Sequence, residues 1–96
     1  MRVLFTCHGA YGHFHPIAPL ALAVRARGHE VVVATGPAFV DWVRRCGLPA
    51  EPSGLTAAEV DGHVAELGIT DRRLLAFHRF STVSVPPMFA DLVRLA

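Results

Sequence analysis

Apolar residues change rhythm several times along the chain. Val3-Leu4-Phe5-Thr6-Cys7 is a nearly unbroken apolar run, and runs without alternation mark a strand buried on both faces of a parallel sheet. His8-Gly9-Ala10-Tyr11-Gly12-His13 follows. Its two glycines open backbone angles that other residues avoid, and Pro16 suits the first turn of a helix, so a tight strand-to-helix turn is predicted here. Ile17, Leu20, Ala21 and Val24 recur at i, i+3, i+4 and i+7, which predicts a helix with one apolar face. Arg25-Ala26-Arg27-Gly28 stops it, with basic residues and then glycine. Pro19 lacks an N–H and belongs near the first turn of that helix or at a slight kink. The β-branched run Glu30-Val31-Val32-Val33-Ala34-Thr35 predicts a second strand. Strand, helix and strand together make a βαβ unit with a right-handed crossover.

Gly36-Pro37 opens a second helix through Phe39, Val40, Trp42, Val43 and Cys46, closed by Gly47. Leu48-Pro49-Ala50-Glu51-Pro52 predicts a short third strand, which its two prolines make peripheral. Thr56 and Glu59 have the spacing of a capping box before a helix that Gly68 ends, and Thr70 or Asp71 caps another helix through Phe80. Pro86-Pro87 precedes a last helix, Met88 to Leu95, with Phe89, Leu92 and Val93 at apolar spacing. The fold class is α/β: a Rossmann-like parallel sheet with flanking helices. Residues 1–96 read as one incomplete domain, because a helix that follows the sheet ordinarily leads to another parallel strand.

Composition narrows the function classes. Apolar residues are 52% of the chain and charged residues 18%, which suits a globular α/β protein rather than a disordered one. Nine basic and eight acidic residues are scattered to a net charge of +1. No basic stripe arises, so nucleic acid is not an expected partner. No apolar run reaches the ~20 residues of a membrane span. Cys7 and Cys46 lack paired spacing, and the first residues lack a signal peptide's apolar region and cleavage site, so a cytoplasmic protein with reduced thiols is expected.

In open parallel sheets, ligands bind outside the carboxyl ends of the strands, which puts residues 8–16 where chemistry is expected. With only Gly9 and Gly12, and with His13 where a pyrophosphate cradle wants a small residue, the segment does not read as a dinucleotide-binding turn. His13 and His15 form a His-x-His pair without a third ligand, and zinc sites need three or four, so no metal is expected. Cys7 reads as a small buried hydrophobe. His8 is a candidate ligand contact. Tyr11 and Phe14 suit either an apolar ligand wall or packing on the neighbouring helix. Trp42, Phe39 and Val43 read as core, and His29 as the end of the first helix.

Gly12-His13-Phe14-His15-Pro16, then Leu20-Ala21 and Arg27-Gly28-His29-Glu30-Val31, resembles the start of family 1 glycosyltransferases of the GT-B fold, close to their bacterial natural-product members. The likeness extends through the small-residue segment Ala34-Thr35-Gly36-Pro37-Ala38-Phe39, covers residues 1 to about 50 and fades beyond Pro52. It implies an N-terminal acceptor-binding domain. His13 would then be the general base that takes a proton from an acceptor hydroxyl while that oxygen attacks the anomeric carbon of a nucleotide sugar, with inversion. A helix N-terminus at His13 would help keep its ring neutral. Ala10, Tyr11, Gly12 and Phe14 would line the small-molecule acceptor. No cofactor or metal is implied; the nucleotide sugar is a co-substrate bound by a C-terminal domain that these residues lack, as they lack the carboxylate that orients the histidine. The 96 residues alone are expected to be inactive. The competing readings are a non-catalytic Rossmann-like module that binds a nucleotide or a partner, and a remnant without independent function.

Overall fold

A computed structural model describes residues 1–96. It contains two compact units, Met1–Pro52 and Ser53–Ala96. In the first, β1 (Arg2–Cys7), β2 (Glu30–Thr35) and β3 (Ala50–Pro52) form a parallel sheet in that spatial order. The β1–β2 register pairs Arg2 with Glu30 at one end and Cys7 with Thr35 at the other. Valines at 31 and 33 and Ala34 are buried, as expected of a strand covered on both faces. β3 is shorter than Leu48–Pro52 because Pro49 and Pro52 limit its donors, and pairing begins only at Val33 opposite Ala50.

Between β1 and β2 lie α1 (Tyr11–Phe14) and α2 (Ala18–Ala26), and a 3₁₀ turn at Pro37–Phe39 leads from β2 into α3 (Val40–Arg45). Pro19 sits within the first two positions of α2, where its missing N–H costs no helical bond. Ala21 is wholly buried, with Ile17, Ala18 and Val24 packed against the core. Leu20, expected on the same face, is instead 58% exposed; the sheet is met by Ile17, Ala21 and Val24, and Leu20 falls to their side. Gly28 and Gly47, at φ +90° and +88°, end α2 and α3 in the left-handed region. The core of this unit joins Phe14, Ala21, Val31, Val33, Phe39, Val40, Val43, Leu48 and Ala50.

The second unit is helical: α4 (Ala57–Glu66), α5 (Arg72–His78), a π-helical stretch at Arg79–Val83, and α6 (Val85–Leu95). Thr56 and Glu59 close the expected capping box in both directions. Asp71 rather than Thr70 caps α5, accepting from the N–H groups of Arg73 and Leu74. The last helix starts earlier than expected, with Pro86 and Pro87 inside its first turn, where they displace no intrahelical bond. Asp91 accepts the Gly54 N–H at 2.9 Å, which holds its carboxyl below the usual carboxylate range, and Arg94 adds to this. Leu74, Phe77, Phe80, Phe89 and Val93 are each about half exposed or more. A cleft of about 570 Å³ is lined by Leu55, His63, Glu66, Leu67, Thr82, Val83 and Pro87.

Leu48 is 2% exposed, and truncating a buried leucine costs about 2–5 kcal/mol. Leu48→Ala is expected to lower unfolding stability by that amount, read by urea denaturation; a loss under about 0.5 kcal/mol would remove Leu48 from the core.

Candidate functional site

The carboxyl ends of β1 and β2 lie side by side at Cys7 and Thr35, and the chain that leaves each must pass the other closely. A Cβ on Gly9 would stand 3.1 Å from the Phe39 Cβ and 3.4 Å from the Gly36 Cα. A side chain at Gly9 would therefore need Phe39 to give by a few tenths of an ångström. Neither Gly9 nor Gly12 has positive φ, which corrects the expectation that the turn draws on glycine's special angles. Gly12 instead lies inside α1, and a methyl group added there would have nothing within 4 Å.

The predicted tight turn is itself helical. Ala10 is extended, at φ −150° and ψ 151°, and its carbonyl accepts the N–H groups of His13 and Phe14 at 3.2 and 3.0 Å. Five aromatic rings then fasten α1 to the start of α3. Tyr11 meets Phe39 edge-on at 5.3 Å and Trp42 at 5.0 Å. Phe14 meets Phe39 at 5.9 Å and His15 at 5.6 Å, and His15 lies 6.1 Å from Trp42. Such pairs contribute about 0.5–1.5 kcal/mol each beyond burial. Trp42 and Phe39, read from spacing as core, thus also support the turn; helical periodicity shows that a residue faces inward but not which segment it meets.

His13 is exposed on α1. Its ring lies 5.8 Å from that of His8, with the planes at 59°. It is the third residue of a four-residue helix, too short to carry the N-terminal dipole effect expected from the sequence. Ala10 is half-buried, while Tyr11 and Gly12 are exposed beside His13. Phe14 is the correction: at 0% exposure it belongs to the core and offers no wall to a ligand, because the one-turn helix points it opposite to the exposed side. His13 and His15 have different ring neighbours, and no group of three or more His, Cys, Asp or Glu side chains is placed to hold a metal.

Burial pushes the His8 imidazole below its ordinary 6.5, and charge on His13 acts in the same direction. Burial also pushes the Cys7 thiol up, partly offset by its contact with the Thr35 hydroxyl at 3.6 Å. A thiol held protonated is a poor nucleophile, which suits Cys7 as a packing residue.

No protein-family model matches the chain. In sequence it is 48% identical over 54 residues to the TDP-daunosamine transferase DnrS of Streptomyces peucetius, covering 56% of this chain and 12% of that protein. In structure it matches the spinosyn forosaminyltransferase SpnP with a TM-score of 0.58 and 43% identity, over 81% of this chain and 22% of SpnP. The glycosyltransferase VinC, solved in complex with dTDP, matches with a TM-score of 0.57 and 38% identity, over 62% of this chain and 16% of VinC. The chain is a relative of the natural-product glycosyltransferases of the GT-B fold and corresponds to a small part of their length. No helix is long and apolar enough to cross a membrane.

The contrast between Gly9 and Gly12 is testable. Gly12→Ala fills open space within a helix and is expected to be neutral or to stabilise by up to about 1 kcal/mol. Gly9→Ala presses on Phe39 and is expected to lower the thermal midpoint and to weaken the near-ultraviolet aromatic signal; equal effects of the two substitutions would contradict the close approach. The depressed His8 value also predicts a pH effect. The unfolded chain binds this proton more readily than the folded one, so the contribution of His8 to stability is present above pH 6.5 and is lost as pH falls through 6.5 toward the lower folded value. Urea denaturation at about pH 8 and pH 5 is expected to show a smaller acid loss in His8→Gln than in the native chain; equal losses would rule His8 out as its source.

Proposed function

We propose that these residues form the acceptor-side part of an inverting glycosyltransferase, with His13 as the general base. The observation that carries the reading is an exposed imidazole just past the carboxyl end of the parallel strand β1, where α/β sheets take their ligands. The acceptor is a hydroxyl-bearing apolar small molecule, met by Ala10, Tyr11 and Gly12, while Phe14 anchors α1 from behind. The acceptor oxygen attacks the anomeric carbon of a nucleotide sugar, and its proton passes to the unprotonated ring nitrogen of His13. The bond from that carbon to the nucleoside diphosphate breaks, and the sugar inverts. Donor contacts, and the carboxylate expected to steady the histidine, are assigned to parts of the fold outside residues 1–96. No metal or cofactor takes part, and the enzyme acts in the cytoplasm. The relatives support this reading by name, one being a TDP-daunosamine transferase and another a structure holding dTDP.

The test grafts residues 8–16 of this chain onto the corresponding turn of SpnP. The graft is expected to transfer forosamine, and its His13→Ala version to lose about 10²–10⁴ in rate while still binding dTDP. Undiminished turnover by that version would refute the base assignment. Tight nucleotide binding by the 96-residue chain itself, read by calorimetry, would favour a nucleotide-binding module instead.

A further inference from the structure

The cleft of the second unit, about 570 Å³, is within the size range of small-molecule sites. Leu55, Leu67, Val83 and Pro87 give it apolar walls, and the side chains of His63, Glu66 and Thr82 complete the lining. These residues come from three segments: the approach to α4, the C-terminal end of α4, and the π-helical stretch with the first turn of α6. Ties away from the lining fix the segments. Arg79 pairs with Asp61 at 2.5 Å and joins the π-helical stretch to α4. Asp91 accepts the Gly54 N–H at 2.9 Å and joins the residue before Leu55 to α6. Gly54, at φ +80°, lies so close to α6 that an added Cβ would stand 2.6 Å from the Met88 Cγ. The walls are thus positioned without filling the space between them. A π-helical turn carries an extra residue relative to an α-helical one, and such turns are frequent at functional sites.

Charge selects the occupant. Of the carboxylates on α4, Glu59 accepts from the Thr56 N–H and hydroxyl, and Asp61 takes Arg79. Glu66, the one at the cleft, has His63 beside it at 3.7 Å, and that ring is a cation only when protonated. The remaining charged side chains of the unit lie outside the lining: Arg94 pairs with Asp91, Asp71 caps α5, and Arg72 and Arg73 are exposed in its first turn. A carboxylate at the rim of an apolar cleft, with no fixed cation, suits a molecule that is apolar along its body and cationic at one end. We infer that this cleft binds an apolar small molecule bearing an ammonium group, with its body against Leu55, Leu67, Val83 and Pro87 and its cation on Glu66. The inference does not draw on the role proposed for His13. Burial of the apolar body carries most of the affinity. The Glu66 side chain is 77% exposed, so water screens the ion pair, which contributes selectivity more than strength. The Thr82 hydroxyl, hydrogen-bonded to the His78 Nδ1 at 2.9 Å, keeps capacity for a further hydrogen bond to the ligand.

Three probes that share one body and differ in charge test this: 6-phenylhexylamine, 6-phenylhexanol and 6-phenylhexanoate. Amide NMR of the isotope-labelled full chain locates and ranks their binding. The amine is expected to move the amides of Leu55, of His63 to Leu67 and of Thr82 and Val83. It is expected to bind about 2- to 5-fold more tightly than the alcohol, with the carboxylate weakest. Glu66→Gln keeps the size of the side chain and is expected to make amine and alcohol bind equally, with the affinity for the alcohol unchanged. Added salt reads the same contact without a substitution: the advantage of the amine is expected to shrink while binding of the alcohol persists. Unmoved cleft amides at millimolar amine overturn the proposal, as do equal affinities of amine and alcohol for the native chain. Shifts centred on the exposed Phe77, Phe89 and Val93 overturn it as well, because the probe then sits on open helix surface. An advantage of the amine that survives both Glu66→Gln and high salt places the cation elsewhere and has the same consequence.

Discussion

The parallel pairing of β1 with β2 is the constraint on which the candidate site depends. Six residues of each strand run in register, from Arg2 opposite Glu30 to Cys7 opposite Thr35, so both chains leave the sheet at the same edge and at the same level. Their exits then have to pass, and they do so where Gly9 meets Gly36 and Phe39. A side chain at Gly9 would push the Phe39 turn outward and loosen the aromatic cluster that fixes α1. The exposure of His13 thus follows from a packing requirement several residues before it.

Beyond that crossing, α1 is held almost wholly by rings. A helix of four residues has too few internal hydrogen bonds to persist by itself, and Tyr11 and Phe14 supply what the backbone lacks by contacting Phe39 and Trp42. The two side chains do different work although three positions apart. Phe14 fills the core, whereas Tyr11 covers α3 with one face and remains partly in solvent. The electrostatics of the turn follow from the same geometry, since His8 is drawn into the sheet edge and loses hydration while His13 keeps it.

The second unit rests on a different kind of evidence in the sequence. Its helices are announced by caps, Thr56 with Glu59 and Asp71 with the N–H groups of Arg73 and Leu74, and capping chemistry acts within a few residues. Its apolar side chains are less well covered, with Phe77, Phe89 and Val93 more than half exposed. Apolar surface of that extent on helices is commonly covered by other protein surface or by a ligand.

By itself the sequence determined the elements whose causes are local. The β-branched run at Glu30–Thr35, the glycine stops at Gly28 and Gly47, the capping box and the glycosyltransferase-like G-H-x-x-P turn can all be read from neighbours in the chain, because each depends on backbone chemistry or periodicity over a few residues. What only the tertiary structure decided are the properties that need two distant segments. Gly9 serves for space rather than for angle because Gly36 and Phe39 arrive beside it. Leu20 is exposed and Phe14 buried because the sheet and α3 select which part of an apolar stripe is covered. Trp42 supports the turn because β2 delivers α3 against α1. The His8 and His13 rings come to lie 5.8 Å apart because the chain turns into a helix soon after the strand. Periodicity specifies that a face will be buried; only the arrangement of the sheet specifies what buries it, and with it which histidine meets solvent and which is held beside it.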